Sequence, residues 1–570
     1  MSNTAETHAA DEFALARSEL ASGRGEEAAR RLAALAEREP GNPLPLYWRA
    51  AALGAAGRWS EHHHVLRQAQ TAHALKLIAQ VGGDVERMGA DRDYAIHVGD
   101  IFYGNHLVGP ASVALGCAAM APGAPLRVLL KYGLALQHQG RVDEAVAAFT
   151  AACETAPDDS QARGFLLFSL FHVRDGVARH AEAARRFARI FEGASRKPAE
   201  SFDNPPLDGR RLRIGYVAPD AMGTQLRQFL GPVLEHHDPD AVEVFHYVHA
   251  PPAAPPPGGQ VRLIGQLNDD QAAALIREDR IDVLLDLWGH TANGRLGVFA
   301  RRAAPVQASW MNYVQTTGLV EMDYLLHPDC LDVPGAQEAC TETLWHIGPE
   351  MGPFRPDPRP DPVPTPALEA GFVSFGCYSH PVRLSEETFD GWSRILQRTP
   401  GSRLVLRYRY YDDEVLQNSV LMRFAARGID VDRIYFRGHI GQPDYYSSYA
   451  EIDFALDPAP CPAGTTSLDA LANGVPVLTL AGTDYYSRIG VANTGPMGLD
   501  ELITESWDDY VERAVELTAD VQALDRLRTR VRAAFDASGR RDELGFTRRF
   551  EGVLADLFNQ WLRRRNAVAA

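Results

Sequence analysis

The chain has 570 residues, of which 45% are hydrophobic and 23% are charged, and this balance excludes a mainly disordered or collagen-like chain. At about 100–200 residues per domain, the length predicts three or four domains. The formal net charge of −17 disfavours generic nucleic-acid binding, because phosphate backbones are repelled at long range. No apolar run reaches the ~18 residues of a membrane span, and residues 1–13 lack the basic start and apolar core of a secretory signal. We therefore expect no membrane span and a cytoplasmic location.

The cysteines and lysines limit the possible chemistry. Six cysteines are scattered without a CxxC pair, which argues against a disulfide framework and against a zinc site. Only Lys76, Lys131 and Lys197 are lysines, and all other basic residues are arginines. A base-composition bias of the genome explains this simply. It also means that no mechanism in the last two thirds of the chain can use a lysine.

The first 200 residues carry a repeat. Gly-Arg pairs at 23–24, 57–58 and 140–141 each open a helix-like run, and the first two lie 34 residues apart. A small residue at the turn, an alanine in the second helix and a closing proline resemble the tetratricopeptide repeat, in which stacked helix pairs form a solenoid. The stretch 78–110 fits this period poorly, and a plain helical bundle is the alternative. Either interpretation predicts that residues 1–200 are helical.

A different pattern follows the polar, proline-containing break at 195–209. Apolar runs of strand length alternate with helical stretches, which predicts parallel sheets covered on both faces. The alternation is interrupted by a proline-rich linker at 349–366 and then restarts. Strands are predicted at 211–219, 242–249, 281–289, 372–378, 403–410, 433–439, 452–460 and 475–480. The predicted domains are a helical repeat domain at 1–200, a first Rossmann-like lobe at 208–350, a second at 366–540 and a C-terminal helix at 541–570.

The predicted fold class is α plus α/β, with a TPR-like α-solenoid before two Rossmann-like lobes. Open parallel sheets bind ligands at the carboxyl ends of their strands, so two facing lobes place a site in the cleft between them. This is the layout of a GT-B glycosyltransferase, although unrelated enzymes also use doubled Rossmann units.

The clearest site signal is DPAPCPAGTTSLDALANG at 457–474. A strand ends there, and a proline-rich loop leads through Gly464 to a helix that begins near Thr465 and Thr466. Free backbone N–H groups and the helix dipole make such a helix start a phosphate site, and glycine permits close approach. The carboxylate of Asp469 can accept hydrogen bonds from ribose hydroxyls. The alternative is that a threonine serves only as the helix N-cap.

Further motifs with a recognisable pattern lie in both predicted lobes. In the second lobe they include Asp-Ala-Leu at 469–471, Gly-Val-Pro-Val at 474–477 and Gly-Leu-Asp-Glu-Leu at 498–502. In the first lobe the corresponding stretches are 213–220, 286–295, 299–318, 322–329 and 341–349. Together they resemble the SPINDLY/OGT-like O-GlcNAc transferase family, glycosyltransferase family 41, whose members carry TPR repeats before the two lobes.

The resemblance assigns roles to the residues that match the family pattern. Thr465, Thr466 and the helix behind them would hold the phosphates of the sugar donor, and Asp469 would bind its ribose. Gly464 stands where a histidine usually precedes the threonine pair. Tyr445 takes the place of a histidine that stacks on the base, a role that tyrosine can also fill.

Two further positions of the second lobe follow from FGCYSHPVR at 375–383. Arg383 stands where the family has its phosphate-binding lysine, and arginine keeps the positive charge with a different donor geometry. His380 stands where an amide usually contacts the base or ribose of the donor. We expect Arg383 to stabilise the leaving phosphate.

The first lobe departs further from the family. Thr224 stands at the position of a histidine and cannot act as a base near neutral pH, so its catalytic role is weak. Gln228 replaces a small residue or a histidine, and Gln315 replaces a glycine in the turn YVQTTG. His290 matches the family motif at the end of a strand, but a lone histidine there is more often structural. These departures weaken the expectation that the donor sugar is N-acetylglucosamine.

The leading hypothesis is an inverting, metal-independent glycosyltransferase that modifies Ser or Thr of an acceptor protein chosen by the TPR-like domain. It needs no cofactor, and its donor is a UDP-sugar or, alternatively, a CMP-linked nonulosonic acid with flagellin as the acceptor. The general base is not identified. The alternative of another class is a non-catalytic TPR scaffold with degenerate transferase lobes.

Overall fold

The computed structural model describes residues 2–173, 176–194, 201–220, 224–252, 256–291, 293–356, 361–362, 364–441 and 444–569. Within these ranges, no helix is both long enough and apolar enough to cross a membrane.

Eleven helices make up the described N-terminal region. They are α1 (Ser2–Ala21), α2 (Gly25–Arg38), α3 (Leu44–Ala55), α4 (Trp59–Gln80), α5 (Val85–Ala90), α6 (Arg92–Gly104), α7 (Val108–Ala119), α8 (Leu126–His138), α9 (Val142–Thr155), α10 (Ser160–Leu170) and α11 (Gly176–Ala194). Neighbouring helices pack against each other through small residues, and Ala28, Ala51, Ala69 and Ala145 are fully buried. The predicted helical region is confirmed.

The same turn joins five of the helix pairs. Gly23, Gly57, Gly82, His106 and Gly140 all adopt the left-handed conformation, with φ between 63° and 83°. The next residue donates its N–H to the carbonyl five positions earlier in each case, for instance from Arg141 to Leu136 at 3.0 Å. His106 occupies a position that favours glycine, so the Gly-Arg pattern misses this turn. The long α4 and the extra α5 lie before it, which explains the poor fit of 78–110 to a 34-residue period.

The first lobe is a seven-stranded parallel sheet with strand order β3-β2-β1-β4-β5-β6-β7. Ile214 of β1 pairs with Val244 of β2 and Val283 of β4. Apolar side chains cover both faces, as the continuous apolar strands predicted. The elements are β1 (Leu212–Val217), α12 (Thr224–His236), β2 (Val242–Val248), β3 (Gln260–Leu263), α13 (Asp269–Glu278), β4 (Val283–Asp286), α14 (Leu296–Phe299), β5 (Val306–Trp310), β6 (Tyr324–His327), α15 (Ala336–Ala339) and β7 (Thr343–His346).

The second lobe repeats this topology with six parallel strands in the order β10-β9-β8-β11-β12-β13. Phe375 of β8 pairs with Leu404 of β9 and Phe454 of β11. The elements are α16 (Ala367–Ala370), β8 (Ser374–Cys377), α17 (Glu386–Arg398), β9 (Arg403–Arg407), α18 (Glu414–Ala425), β10 (Ile434–Arg437), α19 (Asp444–Ser447), β11 (Phe454–Leu456), α20 (Thr465–Ala472), β12 (Val477–Leu480), α21 (Ile489–Thr494), β13 (Ile503–Thr504), α22 (Trp507–Thr518) and α23 (Val521–Ala537). In each lobe the strand order reverses beside the first strand, which is where ligands bind in such sheets.

The last helix, α24 (Glu543–Ala569), returns to the first lobe. Phe550 packs on Trp310 of β5 with ring centroids 4.2 Å apart, and Leu554 and Phe558 are fully buried in the first-lobe core. The C-terminal helix therefore belongs to the core of the first lobe and ties the two lobes together.

The helical region also packs against the second lobe, through α18. Gly54 of α3 and Gly109 of α7 lie against Ala426 and Val415 so closely that a Cβ atom would come within 2.6 and 2.5 Å of their side chains. The buried carboxylate of Asp413 accepts hydrogen bonds from the backbone N–H groups of Gly109 and Val415. Glycine is required at this contact because helix α7 and α18 approach without room for a side chain.

This contact predicts the effect of a matched pair of substitutions. Gly109→Ala overpacks the α7–α18 contact and should lower the free energy of unfolding by about 1–3 kcal/mol. Gly89→Ala in α5, where nothing lies within 4 Å of the added Cβ, should be neutral or stabilising by up to ~1 kcal/mol. Urea denaturation of both variants measures the difference. Equal stability of the two variants would contradict the close approach.

Candidate functional site

A cavity of about 510 Å³ lies at the carboxyl ends of the strands of both sheets. The first lobe contributes Trp288, Tyr313 and Gln315, the second lobe contributes Arg383, Gly464 and Thr465, and the helical region contributes Gly164, Phe168 and Phe171. No aspartate or glutamate is among the described residues that line it. The predicted interlobe cleft is therefore present, and it is lined by cationic, neutral polar and apolar groups.

Helix α20 begins at Thr465, with Gly464 as its N-cap. Both residues line the cavity, so the first backbone N–H groups of the helix lie at its wall. Thr466 lies beside Ser379 of the loop after β8, with the two hydroxyl oxygens 3.5 Å apart. The carbonyl of Thr466 accepts a hydrogen bond from the hydroxyl of Tyr449.

The buried carboxylate of Asp457, at the end of β11, fixes the loop before α20. It accepts hydrogen bonds from the N–H of Ala463 at 2.8 Å and from the hydroxyl of Ser467 at 3.2 Å. Burial raises the pKa of Asp457 to about 7. The sequence analysis placed Asp457 only at the end of a strand. Since ligand sites form at the carboxyl ends of parallel strands, that position could have marked Asp457 as a site residue.

Arg383 presents its guanidinium to the cavity from a short 3-10 turn, Pro381–Arg383, that follows β8. Its Nη1 donates to the carbonyl of Pro462 at 2.6 Å and to Sγ of Cys461 at 2.9 Å. Burial alone would lower the pKa of Arg383, but Cys461, Tyr486 and Asp457 raise it above its ordinary value. Arg383 is therefore a permanent cation that donates to neutral groups, with the carboxyl group of Asp457 close enough to stabilise its charge.

His380 begins the turn that carries Arg383. Its Nδ1 accepts the N–H of Val382 at 3.0 Å, and its Nε2 lies 2.7 Å from Nδ1 of His138 in α8. Both ring nitrogens therefore have partners within the chain. His138 was not predicted as a site residue, since its proximity depends on how the helices pack on the second lobe.

Asp469 and Tyr445 meet behind the cavity wall. Asp469 lies at the start of the second turn of α20 and is 3% exposed, and its Oδ2 accepts a hydrogen bond from the Tyr445 hydroxyl at 3.1 Å. Its Oδ1 has no hydrogen-bond partner among the described residues. Burial raises the pKa of Asp469 to about 7. The structure thus brings together two residues predicted for the ribose and the base, although neither is among the described cavity-lining residues.

A hydrogen bond across the cleft joins the lobes close to this pair. Gln228 of α12 donates from Nε2 to the hydroxyl of Tyr446 at 2.5 Å. Tyr446 neighbours Tyr445 in α19, with ring centroids 5.3 Å apart. This hydrogen bond therefore places α12 of the first lobe next to the Tyr445–Asp469 pair.

The structure does not place either first-lobe candidate, His290 or Thr224, on the cavity wall. His290 is buried, and its Nε2 donates to the carbonyl of Thr317 at 2.7 Å. Burial lowers its pKa to about 4, so its ring is neutral at pH 7. It is not among the described residues that line the 510 Å³ cavity. Thr224 begins α12, but its side chain lies outside the described part of the structure.

The turn that contains Gln315 is held by hydrogen bonds and faces the cavity. The buried carboxylate of Glu342 accepts hydrogen bonds from the hydroxyl of Thr316 and the N–H of Thr317, both at 2.6 Å. Gln315 is 2% exposed, lines the cavity and has no partner for its amide nitrogen among the described residues. An unpaired buried amide is costly, so a ligand that accepts its hydrogen bond would be favoured.

The described side chains offer no evident metal site. No group of three or more His, Cys, Asp or Glu side chains within the described ranges could hold a metal ion. Glu342 is occupied by the threonines of the turn, and His346 is paired on the surface with Asp332 at 3.2 Å.

Comparison with known proteins agrees with this geometry. The family model described as glycosyl transferase family 41 matches residues 166–344 and 369–544. A probable UDP-N-acetylglucosamine–peptide N-acetylglucosaminyltransferase SPINDLY of Oryza sativa subsp. japonica is 30% identical over 442 residues, covering 73% of this chain and 46% of the relative. A UDP-N-acetylglucosamine–peptide N-acetylglucosaminyltransferase of Caenorhabditis elegans is 21% identical over 480 residues, covering 62% and 41% of the two chains. The chain thus spans about half the length of these relatives.

A solved structure matches over nearly the whole chain. The O-GlcNAc transferase mutant of Thermobaculum terrenum superposes with a TM-score of 0.74 and 27% identity, covering 98% of this chain and 99% of its own. The predicted fold class, a helical solenoid before two GT-B lobes, is confirmed. Since the family model matches most of both lobes, the chain belongs to glycosyl transferase family 41.

Proposed function

We propose that the protein transfers a sugar from a nucleotide donor to Ser or Thr hydroxyls of an acceptor protein. The observation that carries this proposal is the placement of Arg383 and the N-terminus of α20 on one cavity whose described lining contains no carboxylate. A cation and a helix N-terminus together form a site for phosphate. The family of the chain and the printed activities of its relatives support transfer of a sugar.

The proposed reaction is an inverting, metal-independent displacement at the anomeric carbon. Arg383 and the N–H groups at Thr465 would stabilise the negative charge on the departing phosphate, an electrostatic effect worth about 2.7–4 kcal/mol per key donor in comparable sites. His290 lies behind the wall, and the pKa of Tyr486, which lines the cavity, is raised by burial. The described lining therefore supplies no base, and we propose that the hydroxyl proton leaves to the donor phosphate or to water.

The helical region is proposed to select the acceptor. Gly164, Phe168 and Phe171 of its last hairpin form part of the cavity wall, so an acceptor that reaches the sugar passes these helices. Flagellin is one candidate acceptor, and a cytoplasmic location is proposed with it. The donor is a UDP-sugar, as in the names of the relatives, or a CMP-linked nonulosonic acid. Since only a bound ligand raises stability by RT ln(1 + [L]/Kd), thermal unfolding with each nucleotide separates the two donors.

Arg383 should be essential to transfer and dispensable to folding. Arg383→Ala should lower turnover of the donor by 100-fold or more, on the order of the loss of one donor to a developing charge. Arg383→Lys should keep substantial activity, because the positive charge remains. Donor turnover and thermal unfolding of both variants are the measurements. Full activity of Arg383→Ala would remove Arg383 from the mechanism, and absence of turnover with any donor in the wild type would favour a scaffold.

Asp469 should bind the ribose as a carboxylate. Its raised pKa means that it ionises near pH 7, so affinity for a sugar nucleotide, whose phosphodiesters do not titrate there, should rise from pH 6 to pH 8. Asp469→Asn should lower this affinity by about one to two orders of magnitude at pH 8 and abolish the rise of affinity between pH 6 and pH 8.

The same titration predicts the effect on stability. A carboxyl group whose pKa is raised by folding stabilises the protein fully at low pH, and this contribution is lost as pH rises through 7. Asp469→Asn should therefore not lower the melting temperature at pH 8. A lower melting temperature with unchanged affinity would instead assign Asp469 a role in the helix alone.

Gln315 should distinguish between sugars rather than between nucleotides. Gln315→Gly removes the unpaired amide and enlarges the cavity, so affinity for the true sugar nucleotide should fall by about tenfold. Affinity for the free nucleotide should stay unchanged. Calorimetric titration with both ligands tests this, with Gln522→Gly, at an exposed position of α23, as a stability control. Equal losses for both ligands would show that Gln315 does not contact the sugar.

A further inference from the structure

The helical region reaches the turn that carries Arg383. His138 is the last residue of α8, and its Nδ1 lies 2.7 Å from Nε2 of His380. The turn after α8 also contacts the 3-10 turn, because a Cβ atom on Gly140 would lie 3.4 Å from the carbonyl oxygen of Pro381. The contact therefore joins the end of a solenoid helix to the start of the 3-10 turn.

The hydrogen-bond pattern fixes which nitrogen carries each proton. Nδ1 of His380 accepts the N–H of Val382, so the proton of a neutral His380 ring is on Nε2. Nε2 of His380 then donates to Nδ1 of His138. The proton of His138 is consequently on Nε2, which lies 3.0 Å from the hydroxyl of Tyr410 and 3.2 Å from that of Tyr103.

Packing holds this chain of donors in place. The ring of His138 stacks on Tyr410 with centroids 4.1 Å apart, and His138 is 8% exposed. Burial lowers the pKa of His138 to about 3, and it also lowers the pKa of His380 well below its ordinary value. Both rings are therefore neutral at pH 7, which the pattern of donors and acceptors requires.

His380 transmits the contact to Arg383 through the backbone. Its ring accepts the N–H of Val382, and its carbonyl accepts the N–H of Arg383 at 3.0 Å. A rotation of the His380 ring would break the cap of the turn, and the direction of the Arg383 side chain depends on that turn.

We propose that His138 is a positioning residue of the donor site, so that the helical region completes the phosphate-binding turn through the hydrogen bond from His380 to His138. The proposal rests on the proposed role of Arg383 in binding the donor phosphate. It extends the function of the solenoid from the acceptor to the donor.

Two variants of His138 test the hydrogen bond itself. The amide oxygen of asparagine can take the place of Nδ1, so His138→Asn keeps an acceptor for His380, whereas His138→Leu fills space without one. We expect His138→Leu to weaken binding of UDP or CMP, whichever the wild type binds, by about tenfold or more, and His138→Asn to stay within about threefold. Arg127→Leu, at an exposed position of the same helix, is the control for a general effect on α8. Calorimetric titration of the full chain measures the affinities, and circular dichroism checks folding.

The outcomes separate this proposal from the proposed function. If the wild type binds nucleotide and His138→Leu binds equally well, or if His138→Asn loses as much affinity as His138→Leu, the positioning role is wrong. If the wild type binds neither nucleotide, the proposed function fails. Crystal structures of the wild type and His138→Leu then test the positioning role independently of nucleotide binding. We expect the His380 ring to leave the N–H of Val382 in the variant, and an unchanged turn would overturn the proposal.

Discussion

The site depends on a cation whose direct hydrogen-bond acceptors are neutral, with the buried carboxyl group of Asp457 nearby. Arg383 is held by the carbonyl of Pro462 and the thiol of Cys461, which are neutral groups, beside the start of α20. A buried charge is costly unless it is paired, and partial charges on backbone groups compensate it only in part. An anion in the cavity would complete the pairing of this charge, which supports the proposed phosphate site.

The site forms only when three parts of the chain keep their relative positions. The second lobe carries the cation and the helix, the first lobe closes the cavity with Gln315 and Trp288, and α24 crosses back to pack on β5. The helical region adds contacts at Gly109 and at His138. Because tightly packed contacts such as that of Gly109 with Val415 leave no room for a larger side chain, a displacement of α7 would also displace α18.

The sequence predicted elements whose signals are local. The helix predicted to begin near Thr465 and Thr466 is α20, which begins at Thr465, because apolar periodicity and turn residues are encoded within a few positions. Five strands, β3, β5, β6, β7 and β13, were not predicted. Of these, β3 and β7 are edge strands with largely exposed side chains, so they lack the buried apolar run on which the strand predictions relied. Predicted strands such as 452–460 are longer than the three residues of β11, because flanking apolar residues of the loop extend the run.

The site was predictable only where one segment builds it. Gly464, Thr465 and Asp469 share a loop and a helix, and motif resemblance placed Arg383 beside them. A local sequence pattern does not show which side chains are buried or which residues meet in the folded chain. The contacts of His138, Glu342 and Asp457 were therefore not predicted. For the same reason the sequence could not show that Tyr445 would hydrogen-bond to Asp469.

The most direct test of the account is a crystal structure of the full chain with a bound nucleotide sugar. We expect the donor phosphates to lie within hydrogen-bond distance of the Arg383 guanidinium and of the first N–H groups of α20, with the sugar directed toward Gln315. A nucleotide bound elsewhere, or phosphates without contact to Arg383 and α20, would contradict it.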